Sequence, residues 1–363
     1  MDSFLTDVRP TQPRIDAPHP TAGYAELKKT AREQGLFERR TGYYAVLAGV
    51  LTLSLTGAIA GAVLLGDSWF QLLIAAALGL IFTQFAFLAH EAAHGQIFSS
   101  RRANERWGRI IAVFLVGLSY SWWINKHTRH HAFPNVEGKD PDIEKDTISF
   151  VEEDARASRG LVRWITKRQG YLFFPLLTLE GLNLHRYTLQ TLFGRRRVKG
   201  RALELSLFLS RTVLYLTLLF WLMPPLMAIA FLGLQLAVFG VYMGASFAPN
   251  HKGMPVLPKN TRVDFLQRQV LTSRNVLGGW WMDLLMGGLN NQIEHHLFPN
   301  MARPHLRASK RLVREHCERE EIPYTESSIA HSFSMVIAYL NRVGLAARDP
   351  FDCPMVGEFR LRT

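Results

Sequence analysis

Cysteine is scarce: Cys317 and Cys353 are the only two in 363 residues, and they form neither a paired motif nor a cluster. A cysteine-ligated iron–sulfur centre within this chain is therefore excluded. Positive charge is missing from two long stretches. No Lys or Arg lies between Tyr44 and His90, and only Arg211 lies between Leu205 and Pro249. The first 40 residues hold no apolar core of the kind a cleavable signal needs, and there is no internal repeat or low-complexity stretch. Lys and Arg number 42 against 30 Asp and Glu. No recognition motif accompanies that excess, so nucleic acid is not an expected partner.

The uncharged stretches resolve into four apolar runs, Tyr44–Gly66, Trp69–His90, Leu205–Met223 and Pro225–Phe247. Each is long enough, at about 1.5 Å of helical rise per residue, to cross roughly 30 Å of hydrocarbon. They come as two hairpins joined by Gly66-Asp67-Ser68 and by the Pro224-Pro225 corner, neither of which carries positive charge. The positive-inside rule then puts the polar segments, both termini included, in the cytoplasm, under a cell inner membrane or an ER membrane. The expected fold is an all-α membrane protein of four transmembrane helices with interfacial or re-entrant helices and a cytoplasmic cap. Its segments are 1–43 (N-terminal, with an interfacial helix over Tyr24–Arg40), 44–94 (first hairpin), 95–204 (cytoplasmic and interfacial), 205–249 (second hairpin) and 250–363 (C-terminal). Ile110–Ile124 is short for a crossing and is read as re-entrant or interfacial, as is Gly170–Leu184. Pro249 is expected to end the fourth span. Arg211 is expected to snorkel toward the cytoplasmic interface, and a helix is expected around Arg303–Glu321.

Histidine is what the chain has in clusters. His90-Glu91-Ala92-Ala93-His94, His127-Thr128-Arg129-His130-His131 and Gln292-Ile293-Glu294-His295-His296 account for seven of the 13, and His251 stands alone after Asn250. Residues three or four apart share a helix face, so each cluster aims its imidazoles in one direction. Eight imidazoles are too many for one ion and suit two, with iron the leading candidate among iron, zinc and copper. All four groups fall at the cytoplasmic ends of spans or in the segments between. Iron with dioxygen supplies the oxidant that an unactivated methylene requires and that no side chain provides. Glu91, Asp140, Asp142 and Glu294 are candidates to accept the second N–H of a ligand imidazole. Trp122 and Trp123 are candidates to line an acyl tunnel or to anchor at the interface, and Lys126 and Arg129 to meet a phosphate-bearing headgroup or CoA. His185, His305, His316 and His331 are read as surface or structural, and His19 as lying in a flexible segment.

These residues closely resemble those of the membrane fatty-acid desaturases, especially the front-end branch. Beyond the three boxes, the likeness includes Trp122-Trp123, Pro134-Asn135, Lys139-Asp140-Pro141-Asp142, Leu289-Asn290, Leu297-Phe298-Pro299 and Met301-Ala302-Arg303, and it covers roughly His90 to Tyr324. The resemblance implies a four-span bundle with a cytosolic cap. It implies O2-dependent insertion of a cis double bond into a fatty acyl chain, carried as acyl-CoA or acyl-lipid. It implies two Fe ions held by His90, His94, His127, His130, His131, His251, His295 and His296. Gln292 stands where many desaturases carry His, as is usual in the front-end branch, and with Asn250 it is a candidate weak ligand or holder of a metal-bound water. The haem motif of a fused cytochrome b5 is matched only by His19-Pro20-Thr21-Ala22. The expected electron source is therefore a separate ferredoxin or cytochrome b5 with its NAD(P)H reductase. The alternatives are a lipid hydroxylase or carotenoid-type oxygenase on the same scaffold, and a metal carrier or transporter. A transporter would place its polar ligands near mid-membrane.

Overall fold

A computed structural model describes residues 22–195 and 198–348; His19 and Cys353 lie outside them. Four helices match the apolar runs: α2 (Thr41–Leu65), α3 (Gln71–Ala93), α10 (Arg201–Leu222) and α11 (Pro225–His251). All four are long and apolar enough to cross a membrane. The α10–α11 corner forms because Pro225 takes the first helical turn, where a missing N–H costs nothing. Half of the most apolar window of α3 is buried but only 11% of that of α10, so α3, against α11, is the inner wall and α10 an outer one.

Before the first span lies α1 (Ala22–Glu33). Its stripe, Leu27 and Ala31, continues to Leu36 and is buried against Leu266, Ile293, Leu297 and Val313 of the cap, not against lipid. The amphipathic pattern was real, but its apolar partner is protein.

Between α3 and α10 the chain first forms α4 (Arg101–Ile110), continued by a π-helical stretch, Ile111–Val116. It then bends by 115° into α5 (Tyr120–Ala132). Gly117 makes the bend at φ +90°, a conformation that Cβ-bearing residues rarely adopt. Polar backbone at such a bend needs partners in an apolar setting. Thr188 Oγ1 accepts from Ser119 N at 3.0 Å, and the fully buried Glu204 accepts from Ser119 Oγ at 2.7 Å and from Ser121 N at 3.0 Å. Arg109 Nε balances that carboxylate at 3.2 Å. Arg211 does not snorkel outward: its guanidinium lies over the Tyr215 ring at 4.9 Å and closes on the Gly117 bend.

Three short helices follow, α6 (Glu152–Arg156), α7 (Gly160–Thr166) and α8 (Phe173–Leu177), then α9 (Glu180–Phe193). Gly170–Leu184 is thus split between α8 and α9, both lying against α11. Pro249 does not end α11, which runs on to His251. Pro249 O accepts from Arg274 Nε, and Asn250 O from Arg274 N, each at 2.8 Å, securing carbonyls at the helix end.

The C-terminal region contributes α12 (Phe265–Leu271), α13 (Trp280–Leu285), α14 (Gln292–Leu297), α15 (Arg303–Arg319) and α16 (Ile329–Leu345). The all-α expectation misses one detail. Two-residue strands β1 (Asn275–Val276) and β2 (Glu326–Ser327) pair in parallel.

Candidate metal centre

Helical periodicity sorts the histidines. His90 and His94, four apart at the end of α3, share a face; so do His127 and His131 on α5, while His130 is turned about 100° from His131. His295 and His296, consecutive on the short α14, diverge in the same way. The result is two adjacent groups. One is His90, His94, His127, His131 and His295; the other is His130, His251 and His296. Within each, one nitrogen per ring lies within 4.8 Å of all the others. His131 and His296 stack across the boundary with ring centroids 4.2 Å apart.

The ring nitrogens face one another. His127 Nε2 is 3.0 Å from His90 Nε2 and 2.8 Å from His94 Nε2, and His130 Nε2 is 3.3 Å from His251 Nε2. His295 Nε2, His296 Nε2 and both nitrogens of His131 are buried without a hydrogen-bond partner. Burial, reinforced by neighbouring imidazoles, pushes His295 and His296 well below the ordinary imidazole range, and burial takes His94 down to about 3. Neutral rings with inward lone pairs repel unless a cation sits between them, so the residues fit an imidazole-bound transition metal.

In the three-imidazole group every outer nitrogen is held. His130 Nδ1 donates to Asp140 at 3.0 Å, with Asp142 Oδ2 at 3.3 Å; His251 Nδ1 donates to Thr272 O at 2.9 Å; His296 Nδ1 donates to Gln269 Oε1 at 2.8 Å. Gln269 is fully buried and its Nε2 also donates to His131 O at 3.0 Å, tying α5 to α14 through α12. Neither Gln269 nor Thr272 stands out in the sequence. Thr272 acts through a backbone carbonyl, which leaves no residue signature, and Gln269 sits in an ordinary amphipathic turn. Gln292 Nε2 lies 2.8 Å from His251 Nε2, and Gln292 Oε1 accepts from Asn250 Nδ2 at 3.3 Å. Gln292 therefore borders the three-imidazole group, and Asn250 reaches it through Gln292.

Two expected imidazole acceptors face elsewhere. Glu91 pairs with Arg303 of α15, both side chains 2% exposed. Glu294 accepts from Tyr324 Oη at 2.7 Å and from Asn275 Nδ2 at 2.8 Å, while Asn275 Oδ1 accepts from Ile293 N. Burial raises the Glu294 pKa. The two glutamates brace the backbone that carries the boxes. Of the paired tryptophans, only Trp123 reaches the site, stacked on His127 at 4.5 Å. Trp122 stacks on Tyr187 at 5.2 Å. Lys126 pairs with Asp142 at 2.6 Å and Arg129 with Glu144 at 2.9 Å. Among the remaining histidines, His305 and His316 are buried and His331 is exposed. His305 accepts from Arg40 Nε at 3.1 Å and His185 Nδ1 donates to Gly181 O at 2.8 Å, structural roles as expected.

The family model for fatty acid desaturase matches residues 67–328, enclosing all eight of these histidines. The chain belongs to the fatty acid desaturase family. It is an oxidoreductase and an integral membrane protein. It is similar to the Delta(8)-fatty-acid desaturase of Helianthus annuus, at 28% identity over 90% of this chain and 74% of the relative. It is also similar to the Delta(6)-fatty-acid desaturase fat-3 of Caenorhabditis elegans, at 28% over 88% and 74%. The acyl-lipid (9-3)-desaturase of Borago officinalis is 30% identical over 75% of this desaturase and 63% of its own length.

Proposed function

We propose that this desaturase inserts a cis double bond into a fatty acyl chain at a di-iron centre, one iron in each imidazole group, using dioxygen and two electrons. The observation that supports this reading is the pair of adjacent groups with ring nitrogens facing one another at 2.8–3.3 Å. When bound, the irons with dioxygen supply the oxidant that removes hydrogen from an unactivated methylene. The chain's own residues do the rest. Asp140, Thr272 O and Gln269 fix the tautomer and direction of three ligand rings. Trp123, against His127, and Phe247, 6.4 Å from the His90 ring, present apolar surface that orients an acyl chain and excludes water. The electrons come from a separate ferredoxin or cytochrome b5 served by an NAD(P)H reductase. Fatty-acid profiles test the reaction: cells expressing the wild type gain a double bond that cells expressing His130→Ala lack. Identical profiles would overturn it.

Two side chains give sharper outcomes. Gln269→Leu removes the acceptor of His296 Nδ1 and the donor to His131 O, so iron affinity is expected to fall about 10–100-fold, read as iron retained against a chelator. Gln292 holds a water or binds weakly. Gln292→Ala should therefore lower activity yet keep most of the iron, as elemental analysis of the purified protein will show.

In the same reading both termini and all histidine groups are cytoplasmic, with only the α2–α3 and α10–α11 connections outside. His94 and His127 nitrogens at 2.8 Å support a bent α4–α5 pair that returns to its starting side. Ala157, exposed after α6, provides the test. A cysteine there should resist a membrane-impermeant thiol reagent in intact cells and react once the membrane is opened.

A further inference from the structure

On α13, Trp280, Trp281, Leu284 and Leu285 are 69%, 51%, 41% and 46% exposed. Their spacing, one and four apart, gathers them on one face. The opposite face is satisfied by protein. Met282 and Met286 are buried with Phe87 and Leu289, and Asp283 accepts from Asn290 Nδ2 at 2.8 Å and pairs with Arg307 at 2.8 Å. Gly287 and Gly288, at φ +60° and +80°, turn the chain back toward α14.

The depth of this segment comes from a second observation. Leu284 O accepts from Gln84 Nε2 at 3.0 Å, and Leu285 O from Tyr242 Oη at 2.6 Å. Gln84 is in α3, six residues before His90, and Tyr242 is in α11, nine before His251. At the helical rise those contacts lie roughly 9 and 13 Å along the spans from the imidazoles, on the side away from the cap. Helix-end carbonyls satisfied by side chains from two spans are what a water-poor location demands. Leu80 of α3, 48% exposed, lines one apolar groove together with Leu285.

We infer that residues 277–289 form an amphipathic element embedded in the bilayer, with Trp280, Trp281, Leu284 and Leu285 in contact with lipid hydrocarbon. This element leads directly into Gln292, so its insertion sets the depth at which His295 and His296 meet the spans. Nothing in this placement depends on the reaction.

Spin labels in proteoliposomes test it, with Cys317 and Cys353 replaced by alanine. Leu284→Cys and Trp281→Cys each carry the label beside two references. Leu214→Cys is 62% exposed on the span α10, and Arg311→Cys lies on the outer face of α15, where the native side chain is 87% exposed. Labels at 284 and 281 should collide freely with oxygen and lose collisions with a water-soluble nickel chelate, matching position 214. Nickel collisions at both positions equal to those at 311 would overturn the assignment. Using two label positions keeps the test decisive if one variant does not fold.

Discussion

Replacing His295 by alanine is expected to abolish desaturation while the protein still inserts in the membrane. The ring is 1% exposed and its Nε2 has no hydrogen-bond partner, so its loss removes a donor to the five-imidazole group and little else. The apolar runs that drive insertion keep their composition, and the spans lose only a ring neighbour of His90 at the end of α3. His130→Ala should act in the same way from the other group, with the added loss of the Asp140 contact. That leaves a buried carboxylate without its imidazole. Wild-type protein is expected to hold about two irons per chain, one per group. Each variant should hold measurably less and form no product above background. Normal activity with stoichiometric zinc in the wild type would sink the di-iron assignment.

The second large effect lies away from the imidazoles. Breaking the Glu91–Arg303 pair by Glu91→Ala or Arg303→Ala should destabilise the protein by about 3–5 kcal/mol, because each leaves the partner charge buried and uncompensated. The pair lies within a larger bond network. Tyr44 Oη accepts from Arg303 N at 3.1 Å and donates to Gln96 Oε1 at 3.0 Å, and Gln96 Nε2 donates to Pro299 O at 2.8 Å. The network joins the first span, the end of the first histidine box and the start of α15. Thermal unfolding in detergent should therefore begin well below the wild type in either single variant. The double variant Glu91→Ala with Arg303→Leu should recover part of that loss, since no unpaired charge remains. Equal loss in the single and double variants would mean that the pair's charge is not what stabilises this region.

The sequence by itself determined the four spans, because a run of some 20 apolar residues has few alternatives to crossing a bilayer. It also determined which histidines share a face within a box, because the helical repeat fixes that locally, and the three boxes with their flanks carried the family. Which rings form which group was a tertiary matter. His131 and His296 stack on one another yet belong to different groups, a division that depends on how α3, α5, α11 and α14 pack. Packing also turned Glu91 and Glu294 from the imidazoles toward Arg303 and Tyr324, and brought Trp123 but not Trp122 to the site. It seated the stripe of α1 on protein and made Gln269 and the Thr272 carbonyl imidazole acceptors. Periodicity sets which direction a side chain takes from its own helix. What it meets there is set by residues far along the chain, and a backbone carbonyl among them has no residue type to announce it.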